Sequence, residues 1–127
     1  MYPNPYPVTW IKNTINGEYF DLLRLDLGAP YFINKSGVYV IWYASPSGSK
    51  VIRVGQGSPI SDRLREHRMN PQINQYAAYG PLKVSWVVLP RNPELFDRIE
   101  AYLYDYYRPV VGERAPNAVP LPVDPLL

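Results

Sequence analysis

The sequence predicts a single mixed domain of the α/β (α+β) class, with a β-hairpin, a basic helix, a further strand and a second helix. Two apolar runs, residues 37–43 and 51–57, flank a Ser/Pro/Gly turn, which is the pattern of a hairpin. A Ser-Pro pair, a common helix start, follows at once. Because 127 residues is the usual size of one domain, we expect one core for the whole chain.

The first third of the chain gives weaker signals. Residues 1–9 alternate proline with tyrosine and asparagine, which favours an extended arm and prevents a helix. Residues 10–34 contain an Asn16-Gly17 turn signal and an apolar run that suits either a helix or a strand. We expect a helical turn near residues 19–24.

The hairpin strands carry distinct patterns. Residues 38–43 are apolar on both faces, which predicts a central strand covered from both sides. The second run ends in Gly55-Gln56-Gly57, where glycine permits a tight turn and a close approach of the backbone to a ligand.

The basic helix is expected to begin with Ser58 as its N-cap and to end at Asn70-Pro71. Its buried side is predicted to carry Ile60, Leu64 and either His67 or Arg68. Arg63 and His67 are four residues apart and therefore share a face.

Residues 82–89 are rich in β-branched and aromatic side chains and predict a third strand. Asn92-Pro93-Glu94 then predicts a helix to about Tyr107, with Glu100 at the edge of its buried stripe. That stripe is predicted to contain Leu95, Ile99, Tyr102, Leu103 and Tyr106. Residues 115–127 contain four prolines and are expected to lie extended over the domain.

Composition excludes several classes of function. Without cysteine the chain has no disulfide, zinc-thiolate site or thiol nucleophile, which fits a cytoplasmic protein. It lacks the motifs of zinc enzymes, serine hydrolases and dinucleotide-binding folds. No signal peptide or long apolar segment is evident, so we expect a soluble protein with no membrane partner. The net charge is only +2, so a nucleic-acid surface requires local clustering, as around residues 53–68.

Five side chains form the chemically capable set: Tyr39, Arg53, Arg63, His67 and Glu100. Phosphodiester cleavage needs a base or water-positioning group, cations for the phosphate and a carboxylate for a hard divalent ion. The set supplies each of these kinds of group.

In order and spacing, these residues resemble the motifs of the GIY-YIG nuclease family. Gly37-Val38-Tyr39 matches the first signature and Arg53-Val54-Gly55 the second. Arg63 follows in RLREH and Glu100 in IEAYLYDYYRP, so the resemblance covers about residues 36–109. It implies a three-stranded antiparallel sheet flanked by helices and a DNA endonuclease that uses one divalent metal, magnesium or manganese.

The resemblance also implies a role for each residue. Tyr39, supported by His67, would activate water, Arg63 would contact the phosphate, and Glu100 would bind the metal. Arg53, Gly55, Gln56 and Arg65 are the expected substrate contacts.

Two positions depart from the family pattern. Arg53 stands where most members have a second tyrosine, and arginine cannot act as a base because it stays protonated. Residues 110–113, after the Arg108-Pro109 pair, lack the asparagine that many members carry. Asn117 comes too late to match it with confidence.

Other interpretations stay open. Tyr39 and His67 suit core positions, Arg63 and Arg65 suit a solvated helix face, and Arg53 suits an ion pair with Asp97 or Glu100. The chain would then be a non-cleaving DNA- or RNA-binding domain, or a small protein-interaction domain. A structure in which Tyr39, Arg63 and Glu100 converge on one open cleft would favour the nuclease. A single-stranded substrate is expected because exposed tyrosines can stack on its bases. Sequence specificity and oligomeric state are left open.

Overall fold

A computed structural model describes residues 4–127 as a mixed α+β structure with a four-stranded antiparallel sheet. The strands are β1 (Phe20–Asp21), β2 (Gly37–Ser45), β3 (Gly48–Gly57) and β4 (Leu82–Val88), in the order β1-β4-β2-β3. The helices are α1 (Ile60–Arg68), α2 (Pro71–Asn74) and α3 (Pro93–Tyr107). Short 3-10 turns span Pro30–Phe32 and Gln75–Ala78.

Strand β2 is central and lies between β3 and β4, as its two apolar faces predict. Tyr39, Ile41 and Trp86 face one side of the sheet, where Leu64 of α1 packs on them. On the other side, Val38 and Val40 pack against Ile99 and Leu103 of α3. The sheet therefore separates two cores, and β3 forms one of its edges.

The prediction of three strands was one short, and the helical turn predicted near residues 19–24 begins only at Asp21, whose carbonyl accepts from the Leu25 backbone N–H at 2.9 Å. Phe20 and Asp21 instead form a two-residue strand against β4, opposite Val84 and Lys83. Asp21 also forms an ion pair with Lys83 at 2.6 Å. Tertiary pairing thus decides a segment whose local pattern suits either structure.

Helix α3 has the predicted bounds because its ends carry strong local signals. The Asn92 side chain accepts a hydrogen bond from the Leu95 backbone N–H at 3.2 Å, and Pro93 occupies the first turn. The helix ends at Arg108, which adopts a left-handed conformation with φ of 50°. Tyr106 was predicted to be buried but is 53% exposed, and Phe96 fills the core in its place.

Helix α1 begins one residue later than predicted. Pro59 occupies the N-cap position, and no side chain caps this end, so the prediction of Ser58 as the cap was wrong. Ile60, Leu64 and His67 are buried as expected. Asn70 caps the short helix α2, where its side chain accepts from the Gln72 backbone N–H.

The two proline-rich arms run side by side where they are described. The Tyr6 backbone N–H donates to the Pro122 carbonyl at 2.8 Å, and Val123 is buried against the α3 side of the sheet. Residues 1–3 of the predicted arm lie outside the described residues. Between residues 4 and 127, no helix is both long and apolar enough to cross a membrane.

Candidate active site

Tyr39 occupies the middle of the central strand, directly opposite Gly55 on β3. Its side chain is fully buried and crosses the face of Gly55, where an added Cβ would collide with the phenolic oxygen. Gly55 is therefore required to leave room for the Tyr39 hydroxyl. Because the Tyr39 ring fills this space, a ligand cannot approach the backbone at Gly55, contrary to the expectation that Gly55 contacts substrate.

The Tyr39 hydroxyl forms a hydrogen bond with Nε2 of His67, which α1 carries over the same face of the sheet. Burial, together with the charges of Arg53 and Arg63, lowers the pKa of His67 to about 4. The imidazole is therefore neutral at pH 7. Burial also raises the pKa of the Tyr39 phenol, so Tyr39 donates its proton and Nε2 accepts it.

Arg63 approaches the Tyr39 hydroxyl from the solvent side. A Cβ on Gly57 would lie 2.9 Å from Arg63 Cγ, so this glycine lets the arginine stem pass close to β3. A hydrogen bond from Arg63 and its positive charge oppose the rise in the pKa of Tyr39. The side chain is 40% exposed and forms an ion pair with Glu66 at 2.7 Å, which leaves the cation accessible to solvent.

Glu100 lies on the other face of the sheet, on α3, and does not stand alone. The Gln56 side-chain Nε2 donates to a carboxylate oxygen of Glu100 at 2.6 Å and to one of Asp97 at 2.7 Å. Glu100 is only 8% exposed. Burial raises its pKa, the charge of Asp97 raises it further, and the bond from Gln56 opposes both effects. Two carboxylates thus share one neutral amide donor.

Arg53 lies between these two groups on the edge strand β3. Its guanidinium packs beneath Gly112, where an added Cβ would lie 2.7 Å from Nη1, and its Nε is buried without a hydrogen-bond acceptor. Throughout residues 4–127 it forms no ion pair with Glu100 or Asp97. The interpretation of Arg53 as a structural partner of either carboxylate therefore finds no support in the geometry.

The charges of Arg53 and Arg63 link the two groups into one candidate cluster. Both lower the pKa of Tyr39, of His67 and of Glu100, and Glu100 raises that of Tyr39. The cluster wraps around the edge of β3, with α1 on one side and α3 on the other. It is more closed than an open cleft, because Tyr39 and Glu100 are both buried.

Arg65 is the one predicted site residue that lies outside the cluster. Its guanidinium donates to the Leu27 carbonyl at 2.9 Å and forms an ion pair with Asp62 at 3.3 Å. Arg68 on the same helix donates to the Leu22 carbonyl at 2.7 Å. These two arginines tie α1 to the segment after β1 and so hold the helix that presents Arg63 and His67.

Sequence reasoning missed Asp97 as a partner of Glu100, although a signal was present. The two residues are three apart on a helix and so share a face. Gln56 was expected to contact substrate, but it binds both carboxylates instead. Side chains alternate between the two faces of a strand, so Gln56 points away from Tyr39 and toward α3. Only the pairing of β2 with β3 reveals that direction.

The Glu100, Asp97 and Gln56 group suits a hard divalent cation. Magnesium prefers oxygen ligands and is commonly held by one or two carboxylates, with water and substrate phosphate completing its shell. The described part of the chain contains no group of three or more His, Cys, Asp or Glu side chains that could hold a metal alone. The carboxylates of Glu100 and Asp97 and the amide oxygen of Gln56 could bind magnesium as part of its shell, with water and phosphate supplying the remaining ligands.

Comparison of the chain with protein-family models, with curated proteins and with solved structures finds no match.

Proposed function

We propose that this chain is a divalent-metal-dependent endonuclease related to the GIY-YIG nucleases, acting on phosphodiester bonds of DNA. The observation that carries the proposal is the hydrogen bond between Tyr39 and a neutral His67, with Arg63 against the same hydroxyl. Glu100 lies within electrostatic reach of that phenol. A proton acceptor, phosphate-binding cations and carboxylates thus occur together, which is the requirement for metal-assisted hydrolysis.

In this mechanism the Tyr39 oxygen accepts a proton from the attacking water while its own proton moves to His67 Nε2. The raised pKa of the phenol makes a free phenolate unfavourable, so the transfer has to be concerted with His67. Arg53 and Arg63 neutralise charge on the phosphate, since neither guanidinium can act as a base.

Glu100 and Asp97 would hold the metal, with Gln56 turned so that its amide oxygen faces the ion. When bound, the ion supplies Lewis-acid stabilisation of the charge on the leaving oxygen.

Substrate access would depend on a movement of Arg63, because the Tyr39 hydroxyl is fully buried and Arg63 is the partly exposed cation that acts on it. A phosphate competes with Glu66 for the Arg63 guanidinium and draws it away from the hydroxyl. The exposed ion pair is weak, so this exchange costs little. Binding of the phosphodiester would thereby bring substrate and Tyr39 together.

The test is incubation of the pure protein with labelled single- and double-stranded DNA and RNA, in magnesium, manganese or EDTA. We expect metal-dependent cleavage of DNA that falls at least about 100-fold in Tyr39→Phe. Tyr79→Phe, at an exposed tyrosine far along the chain, is the matched control and should cut like wild type. Absence of cleavage with every metal, or equal cleavage by Tyr39→Phe, overturns the proposal.

The second candidate is a nucleic-acid-binding domain that does not cleave. It is favoured by the bonds from Gln56, which satisfy both carboxylates without a cation, and by the complete burial of Tyr39. This candidate predicts salt-dependent DNA binding with no cleavage in magnesium or manganese, and weaker binding in Arg63→Gln. Arg91→Gln, at an exposed position outside the cluster, is the matched control.

A further inference from the structure

A second site lies on the α1 side of the sheet, beyond β4. A cavity of about 730 Å³ opens between residues 9–15 and the 3-10 turn Pro30–Phe32. Its volume is within the range of small-molecule sites, which run from roughly 300 to 1,000 Å³. Five aromatic residues line it: Trp10, Phe20, Tyr31, Phe32 and Trp86. None of them belongs to the candidate active site.

The rings are arranged around Trp86. Phe20 stacks on it at 5.6 Å between centroids with planes 22° apart, and Phe32 and Tyr31 lie at 5.3 and 6.0 Å. Trp86 and Phe32 are buried in the core, whereas Tyr31 is 42% exposed. The cavity therefore has a rigid aromatic floor and one exposed aromatic wall, which suits a flat aromatic ligand.

Two polar groups on the wall have unused hydrogen-bonding capacity. Trp86 Nε1 donates to the Tyr31 hydroxyl oxygen at 3.1 Å, and the Tyr31 O–H proton has no acceptor within residues 4–127. Asp26 accepts the Gly28 backbone N–H through Oδ1 at 3.0 Å and has a second carboxylate oxygen. One donor and one acceptor are thus available to the polar edge of a heterocyclic base.

Two cations stand near the opening. Arg24 lines the cavity, and its guanidinium has no ion pair or hydrogen bond in the described part of the chain. Lys12 also lines it and lies 4.7 Å from the Tyr19 ring, again without a carboxylate partner among those residues. An aromatic cavity beside unpaired cations is complementary to a ring that carries a phosphate.

We propose that this cavity binds a nucleotide, with the base against the exposed ring of Tyr31 and the phosphate at Arg24 and Lys12. Trp86 is the cross-strand neighbour of Tyr39 on the same face of the sheet, so the cavity lies one strand away from the candidate active site. The site would hold one base of the nucleic acid that the proposed function cleaves. In that sense it extends that function, but binding needs neither Tyr39 nor Glu100.

The test is calorimetric titration of the full chain with AMP and CMP, and with adenosine, inorganic phosphate and indole as comparison ligands. We expect both nucleotides to bind, adenosine and phosphate to bind at least about tenfold more weakly, and Tyr31→Ala to weaken AMP at least about tenfold through lost stacking. Arg24→Gln should weaken AMP but leave adenosine unchanged. Tyr79→Ala and Arg91→Gln, at positions that do not line the cavity, are matched controls.

The proposal is overturned if AMP does not bind, if Tyr31→Ala binds it like wild type, or if indole binds as tightly as AMP. The last result would identify an apolar docking site instead. Unfolding midpoints of all variants confirm that they are folded, which matters most for Tyr31→Ala because it leaves the indole N–H of Trp86 without its acceptor. Because Tyr39→Phe should retain AMP binding, loss of the nuclease activity and loss of this site give distinguishable results.

Discussion

His67 is the only histidine in the chain, so its imidazole can be titrated without assignment ambiguity. The structure places it in the core beside Tyr39, with Arg53 and Arg63 nearby. Burial and the two cations lower its pKa to about 4, compared with an ordinary value of 6.5. We expect the proton NMR resonances of the imidazole to shift only below about pH 5.

This pKa also predicts how stability depends on pH. Between pH 6.5 and about 4, His67 is protonated in the unfolded chain but stays neutral in the folded protein. Because the unfolded chain binds the extra proton, the free energy of unfolding falls as pH decreases. At about 1.4 kcal/mol per pKa unit, the loss attributable to His67 amounts to about 3 kcal/mol. Glu100 acts in the opposite direction because its pKa is raised.

The contribution of His67 is isolated by comparing urea denaturation of wild type and His67→Gln at pH 7.5 and pH 4.5. The stability advantage of wild type should shrink toward the lower pH. Arg63→Met should raise the pKa of His67 but leave it well below 6.5, because burial, the larger cause of the lowering, is unchanged. An imidazole that titrates near 6.5 would refute the buried Tyr39–His67 arrangement.

Three further predictions concern neighbouring residues. Tyr39→Phe leaves Nε2 of His67 without its donor, so it should cost about 1–3 kcal/mol in urea denaturation and move the pKa of His67 upward in the NMR titration. An unchanged pKa would contradict the bond. Gly55→Ala should destabilise by about 1–3 kcal/mol because the new methyl group collides with the Tyr39 hydroxyl. Gly28→Ala meets only an ordinary contact at 3.4 Å and serves as its control, so equal thermal shifts for the two variants would refute the packing argument. Gln56→Leu removes the donor shared by Asp97 and Glu100, and should cost about 1–3 kcal/mol at pH 7 but less as the pH falls, because the raised pKa of Glu100 favours its neutral form. Magnesium should stabilise this variant less than wild type, because the variant lacks the amide oxygen of Gln56 as a ligand, and equal magnesium shifts in thermal unfolding would argue against a cation site there.

Much of the fold follows from local patterns. The two-sided apolar character of residues 38–43 places β2 at the centre, and the Asn-Pro-Glu start fixes the beginning of α3. The end of α3 is equally local, because Arg108-Pro109 cannot continue it. The strand β1 was missed because two residues carry too little pattern, and its existence depends on pairing with β4.

The sequence predicted most residues of the cluster, but it missed Asp97, included Arg65 and did not predict the contacts among them. The spacing of Arg63 and His67 on one helix face indicated that they act together. The sequence did not indicate that Arg53 avoids both carboxylates, or that Gln56 rather than a cation holds them. Those contacts depend on which face of β3 each side chain takes, and that in turn depends on the bulge opposite Ile41 and Trp42.

The most direct test of the nuclease proposal is the single-turnover cleavage rate of labelled single-stranded DNA by wild type and Glu100→Gln, in magnesium and at saturating protein. Because the carboxylate would hold the metal while other residues hold the strand, we predict that Glu100→Gln retains DNA binding and loses cleavage by at least about 100-fold. A Glu100→Gln rate within about threefold of wild type would contradict the assignment of this cluster as the active site.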